Sequence, residues 1–263
     1  MKNALKLSAL SCVVLAGCGG SGGNAALSKT FTYGSAQAPS SSENAAASSA
    51  QSNLSGSADF ASSPDATKGL AIALFADSLS ASMMGDASVP GRPRDSDVQR
   101  FAQRAATSAC GTVSGKTVTF TNCTQTESGF SMTLNGSVTA TTDSVTWSLT
   151  GNFTGTEQNV TFNLTTHMAG TFTVAGNKIN GHATSDFGGN VSSQGQNVSF
   201  GLATAALVDL SYQSSPYCIT SGSVEVKRVW TQKPQGASGA SFADAAAKIT
   251  WTGCNALTVA HSQ

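Results

Sequence analysis

From Gly111 to Tyr212 the chain alternates small polar and apolar side chains over about a hundred residues, with a Gly or Asn every few positions. Val118 and Phe120, Val145 and Trp147, Val160 and Phe162, Val198 and Phe200, and Ile249 and Trp251 each stand two positions apart, within TVTF, SVTW, NVTF, NVSF and KITW. At a period of two, each pair falls on one face of a strand and its Thr or Ser on the other. The pattern dictates an antiparallel sheet with one dry face.

Turn signals at Thr142-Asp143-Ser144, Gly155–Asn159, Gly176-Asn177, Gly188-Gly189-Asn190 and Gly195-Gln196-Asn197 cut this stretch into consecutive strands. A break at Ala169-Gly170 divides Val160–Met168 from Thr171–Ala175. Connections this short make sequence neighbours spatial neighbours. In Asn197–Tyr212, Val198, Phe200, Leu202, Ala206, Val208, Leu210 and Tyr212 hold one phase, which makes a long strand. Scattered glycines permit such strands to bend. Further strands follow near Gly222–Trp230, Ala247–Gly253 and Ala256–Val259.

Ahead of the sheet, helices are predicted over Pro64–Met84, capped by Ser63 and closed by Gly85, and over Ser96–Ala109. The apolar stripe Ile72, Phe75, Leu79 and Met83 of the first is wide enough to be covered on more than one side. The expected fold is mainly β with N-terminal helices (α+β): a long-stranded, curved antiparallel meander or half-barrel packed on one or two helices.

Met1 to Cys18 reads MKNALKLSALSCVVLAGC, two lysines followed by an apolar stretch too short to span a bilayer. Leu15-Ala16-Gly17-Cys18 resembles the lipobox of bacterial lipoproteins. The resemblance implies cleavage before Cys18, acylation of its sulfur, and attachment to the membrane through two or three chains, enough for stable anchoring. Gly19 is not the Asp that commonly retains such proteins in the inner membrane, so the outer membrane is the expected address. The domains read as a signal peptide over 1–17, a lipid anchor and disordered tether over 18–63, and one β-rich domain with N-terminal helices over 64–263. The tether is Gly, Ala, Ser, Asn and Gln-rich and carries too little apolar surface to fold alone. As a free coil of about 45 residues it would reach roughly 35–40 Å.

Loss of Lys2 and Lys6 with the signal leaves 12 basic against 14 acidic residues, a net charge of −2. No basic field exists to attract nucleic acid. Of six cysteines, Cys12 departs with the signal and Cys18 takes lipid. Cys110, Cys123, Cys218 and Cys254 remain, and export favours their oxidation in one of three connectivities. Cys110–Cys123 and Cys218–Cys254 are expected, the first around a Ser114-Gly115 turn and the second between neighbouring strands. The spacing lacks the C-x-x-C of a zinc site.

Chemistry-bearing residues are sparse. Gly19-Gly20-Ser21-Gly22-Gly23 matches a nucleophile elbow in letters but lacks the strand and helix around it. His167 and His182 lie on strands that could bring them together, without an acidic cluster to join them. Arg228 shares parity with Val224, Val226 and Trp230, which aims a cation at the dry face or, at a bulge, past it.

No catalytic set, metal site or cofactor is expected. Two readings remain: a non-catalytic, lipid-anchored envelope protein with a binding or structural β-domain, and a carrier of a lipid or other hydrophobic ligand between sheet and helix. The second rests on an architectural resemblance to half-barrel lipoprotein carriers and lipid-binding lipoproteins, with Phe75, Leu79, Trp147, Phe200 and Arg228 facing the ligand. A hydrolase is the weakest alternative. The expected partners are the membrane, through Cys18, and either an envelope protein or a hydrophobic ligand. A scaffold closes the space beneath the first helix, whereas a carrier keeps it open.

Overall fold

The structure, a computed structural model, describes residues 21–55 and 110–263, apart from 128, 129, 158 and 194. Cys18, the expected helices Pro64–Met84 and Ser96–Ala109, and with them Phe75 and Leu79, lie outside the described residues.

Ten strands form one antiparallel sheet in strict chain order. They are β1 (Gly111–Ser114), β2 (Thr117–Glu127), β3 (Phe130–Ala140), β4 (Ser144–Glu157), β5 (Val160–Ala175), β6 (Lys178–Ser193), β7 (Gln196–Ser214), β8 (Tyr217–Gln232), β9 (Ala245–Gly253) and β10 (Ala256–His261). The meander and the long strands follow the alternation, and β7 reaches 19 residues. The fold is a curved, half-barrel-like α+β arrangement. Bulges at Phe120/Cys123, Gly201/Leu202 and Ser211/Tyr212 add local bends without breaking the order.

Val118, Phe120, Val145, Trp147, Phe200, Ile249 and Trp251 bury on one inner face, as the repeats require. Val160 and Phe162 are only partly covered, and Val198 is 37% exposed. These three share the phase but sit near the hairpin ends, and β8 has stopped pairing with β7 beyond Gly201. Position along the strand decides their exposure, not parity.

Two expected breaks are absent. β5 runs unbroken through Ala169-Gly170, and β6 continues through Gly188-Gly189-Asn190. Gly170 lies opposite Trp147, whose indole occupies the place a side chain would take. Gly189 lies opposite Phe200. Both glycines read as turns in isolation, yet Gly170 makes room for the Trp147 ring, and Gly189 lets β6 lie close to the Asn163 and Leu164 backbone of β5, where a β-carbon would collide.

Both cysteine pairings are those expected. Cys110–Cys123 staples the start of β1 to β2, and Cys218–Cys254 joins the start of β8 to the β9–β10 turn, with Cα separations of 5.5 and 5.4 Å.

The disordered tether expected over 18–63 is not what residues 21–55 show. They form helix α1 (Ser21–Ser28), an extended strap, and helix α2 (Ser41–Ser55). The strap lies along β10: Gln37 and Val259 exchange backbone hydrogen bonds of 2.8 and 2.9 Å, and Gly34 N–H donates to the His261 carbonyl at 2.9 Å. An otherwise open sheet edge is thereby paired. Ser40 and Glu43 cap α2 reciprocally, the Ser40 N–H donating to the Glu43 carboxylate at 2.6 Å and the Glu43 N–H to the Ser40 hydroxyl at 3.3 Å. Ala46, Ala47, Ala50 and Leu54 of α2 then join the inner core, while Ala26 of α1 packs with Ala203, Ala205 and Val229 on the outer face. The segment cannot fold alone, but the sheet supplies the apolar surface and hydrogen-bond partners that its own composition lacks.

Candidate functional site

Of the residues expected to face a ligand, the structure places Trp147, Phe200 and Arg228 on the inner face. Trp147 is 4% and Phe200 3% exposed. The Trp147 indole lies over Gly170 with its ring centroid 5.2 Å from that of Phe172, and Phe200 meets Phe187 at 5.6 Å. Offset and tilted contacts of this kind are ordinary core packing. A cavity wide enough for an acyl chain leaves its lining side chains with surface that a water-sized sphere can reach. These two rings have almost none.

Arg228 is also buried, and its parity is the inward one. The register sets it beside Thr204, which is beside Ser185, so a short polar row crosses β6, β7 and β8 on the dry face. All three are buried. One guanidinium nitrogen of Arg228 donates to the Ala243 carbonyl at 3.4 Å. Ala243 belongs to the crossing segment before β9, where Phe242 stacks on Trp230 at 5.2 Å and Asp244 accepts the Trp230 N–H at 2.8 Å. Arg228 therefore helps to hold the crossing onto the sheet.

His167 and His182, on strands that could have brought them together, stand apart. His167 pairs across to Asp186, whereas His182 pairs with Thr171, four register steps away or roughly 13 Å along the strands. His261 bonds Glu43 at 2.8 Å.

The outer face differs in chemistry. Across β2 to β5 it presents Thr, Ser and Asn, with His167 its one titratable side chain among the described residues. Hydroxyls meet across strands, Thr117 with Thr139 at 2.9 Å and Thr124 with Thr133 at 2.8 Å, and Thr165 donates to the Asn152 amide oxygen at 3.1 Å. Such pairs stabilise neighbouring strands modestly and leave a neutral hydrogen-bonding surface toward water.

On β6 to β8 the outer face carries α1, and the sheet supplies charge at both helix ends. Gly22 packs directly on Asp186 and Thr231, and the Gly23 N–H lies at the Asp186 carboxyl. Burial raises that carboxyl above its usual range, against the pull of the Gly23 N–H and the His167 charge. At the other end Lys227, 6% exposed, donates to the carbonyls of Leu27 at 3.2 Å and Lys29 at 2.8 Å. An anion at the N-terminus and a cation at the C-terminus both complement the helix dipole. The strap is fixed further by Lys29 to Asp244 and by the Tyr33 hydroxyl donating to Glu225 at 2.6 Å. Burial alone would raise the Asp244 carboxyl, but the Lys29 hydrogen bond, the Trp230 N–H and the charges of Lys29 and Lys233 hold it below its usual range.

Sequence reasoning missed this arrangement. The available signal was the parity of Lys227, which sets a cation on the face opposite Arg228 with Glu225 beside it at 3.6 Å. We expect Lys227→Met, which keeps the packed stem, to cost about 1–3 kcal/mol by stripping two part-buried carbonyls of their donor and Glu225 of its cation. Thermal melting would show the loss, and limited proteolysis should cut within 21–40 before the sheet unfolds. Equal protease resistance of the two proteins would refute the clamp.

Comparison of the chain with protein-family models, with curated proteins and with solved structures finds no match.

Proposed function

We propose that the chain is a lipid-anchored cell-envelope protein, held in the outer membrane through Cys18, whose non-catalytic β-domain has a binding or structural role. In this reading the inner face is structural and the neutral outer face of β2 to β5 is what a partner meets. The supporting observation is the burial of Trp147 over Gly170 and of Phe200 against Phe187. Rings packed this tightly into a core are not held ready for a ligand. The dispersed histidines fit a non-catalytic domain, because general acid–base chemistry needs its groups within hydrogen-bond reach of one reacting centre.

The test is mass spectrometry of the intact mature chain from a bacterial envelope. The peptide beginning at Cys18 should carry the mass of its acyl chains, and the native protein should carry no other lipid. An unmodified Cys18 would end the anchored reading. A stoichiometric second lipid would instead favour a carrier, with Arg228, Thr204 and Ser185 as the groups nearest a polar head.

A further inference from the structure

We infer that the anchor is a short, rigid mount that sets the domain on the bilayer in one orientation, with the outer face around Asn190, Ser199 and Gly201 at the lipid headgroups. The inference rests on the lipid-anchor reading and adds a membrane-contacting surface to it. Only Gly19 and Gly20 separate Cys18 from Ser21, where α1 begins. Whatever path they take, they span no more than about 10 Å. The free tether first expected would allow roughly 35–40 Å and impose no orientation.

α1 is not free to swing. Its N-terminal turn lies against Asp186 of β6 and Thr231 of β8, and Lys227, four residues earlier on β8, reaches its last carbonyls. The helix therefore runs along the strands above β7, with its beginning toward the Gly188–Gly201 row. The strap pairs to β10 immediately afterward. A lipid on Cys18 is thus confined to the end of the sheet where β6 finishes and β7 starts.

The chemistry of that surface agrees. The outward side chains there are Asn190, Ser192, Asn197 and Ser199, with Gly188 and Gly201 between them and α1. Uncharged amides and hydroxyls hydrogen-bond to phosphate and glycerol oxygens without repelling anionic headgroups. The carboxylate that β6 itself carries, Asp186, lies at α1. At the opposite end of the same strand and face stands exposed Lys178, about 40 Å from Asn190 along β6.

Those two positions give the test. Asn190→Cys and Lys178→Cys are made in the full lipidated chain, whose remaining thiols are acylated or in disulfides, and labelled with a thiol-reactive NBD fluorophore. The proteins are reconstituted in phosphatidylethanolamine–phosphatidylglycerol vesicles containing a headgroup-nitroxide lipid. The label at 190 should be quenched several-fold more than that at 178. Insertion of about 30 Gly and Ser residues between Gly20 and Ser21, which frees a reach of roughly 30 Å, should erase the difference. Equal quenching in the uninserted chain, or stronger quenching at 178, would overturn the inference while vesicle binding and the acyl mass on Cys18 left the anchor intact. Absence of acyl mass and of vesicle binding would overturn both together.

Discussion

Removing the Cys218–Cys254 bridge, by Cys218→Ala with Cys254→Ala, is expected to lower the unfolding free energy by about 4 kcal/mol. The bridge closes a loop of sequence separation 36, against 13 for Cys110–Cys123, whose removal should cost about 3 kcal/mol on the same chain-entropy argument. For a domain of this size the larger loss corresponds to a fall in Tm of about 8–15 °C. Location adds to length. β8 and β9 begin pairing only at Gly222 and Trp251, so the bridge closes the end of a pair that hydrogen bonds do not reach. By contrast, Cys110–Cys123 pins a four-residue edge strand whose departure would leave nine strands in place. Melting curves of the two double variants and the parent would measure the difference. A larger loss from the Cys110–Cys123 pair would mean that β1 matters more to the sheet than its length implies.

The strands were legible because a half-buried sheet imposes a period of two that survives in the side chains. The parity of Arg228 left two placements open, the dry face or past it at a bulge, and the structure buries it on the dry face. What could not be read was context. Gly170 and Gly188-Gly189 carry the same letters whether they turn the chain or make room, Gly170 for the Trp147 ring and Gly188-Gly189 for the backbones of β7 and β5, and only the neighbouring strands distinguish the two. Residues 21–55 misled more deeply. Ala26, Ala46, Ala47 and Ala50 are too small to announce a core, yet they are small because they lie close against a sheet that supplies the other side of the contact. The mount for α1 depends on Asp186 and Lys227, each unremarkable within its own strand and meaningful only once β6, β7 and β8 stand side by side. Phe75 and Leu79, the other members of the expected ligand-facing set, lie outside the described residues.

The curvature of the sheet makes its own demand, and Gly136→Ala should expose it. Gly136 sits on the inner face of β3 at φ 118°, a region that side-chain-bearing residues rarely adopt, and it lies opposite Leu149 of β4. A β-carbon there would collide with the Ser148 carbonyl oxygen and crowd the Leu149 Cα at 2.9 Å. These are backbone atoms, held by the ladder on both sides, so they cannot rotate away as a side-chain end would. Strain of about 1–3 kcal/mol from the backbone conformation and a further 1–3 kcal/mol from overpacking together predict a loss of about 4 kcal/mol. Gly115 is the matched control. It also has positive φ, 58°, but sits in the β1–β2 turn with nothing within 4 Å of where a β-carbon would be. Gly115→Ala should therefore cost only the conformational part, about 1–2 kcal/mol. The difference between the two variants in denaturant midpoint, at constant slope, reports the collision together with the costlier φ of Gly136. If both alanines cost the same, β3 does not press on β4 at this point, and the bend of the sheet has to arise at the bulges instead.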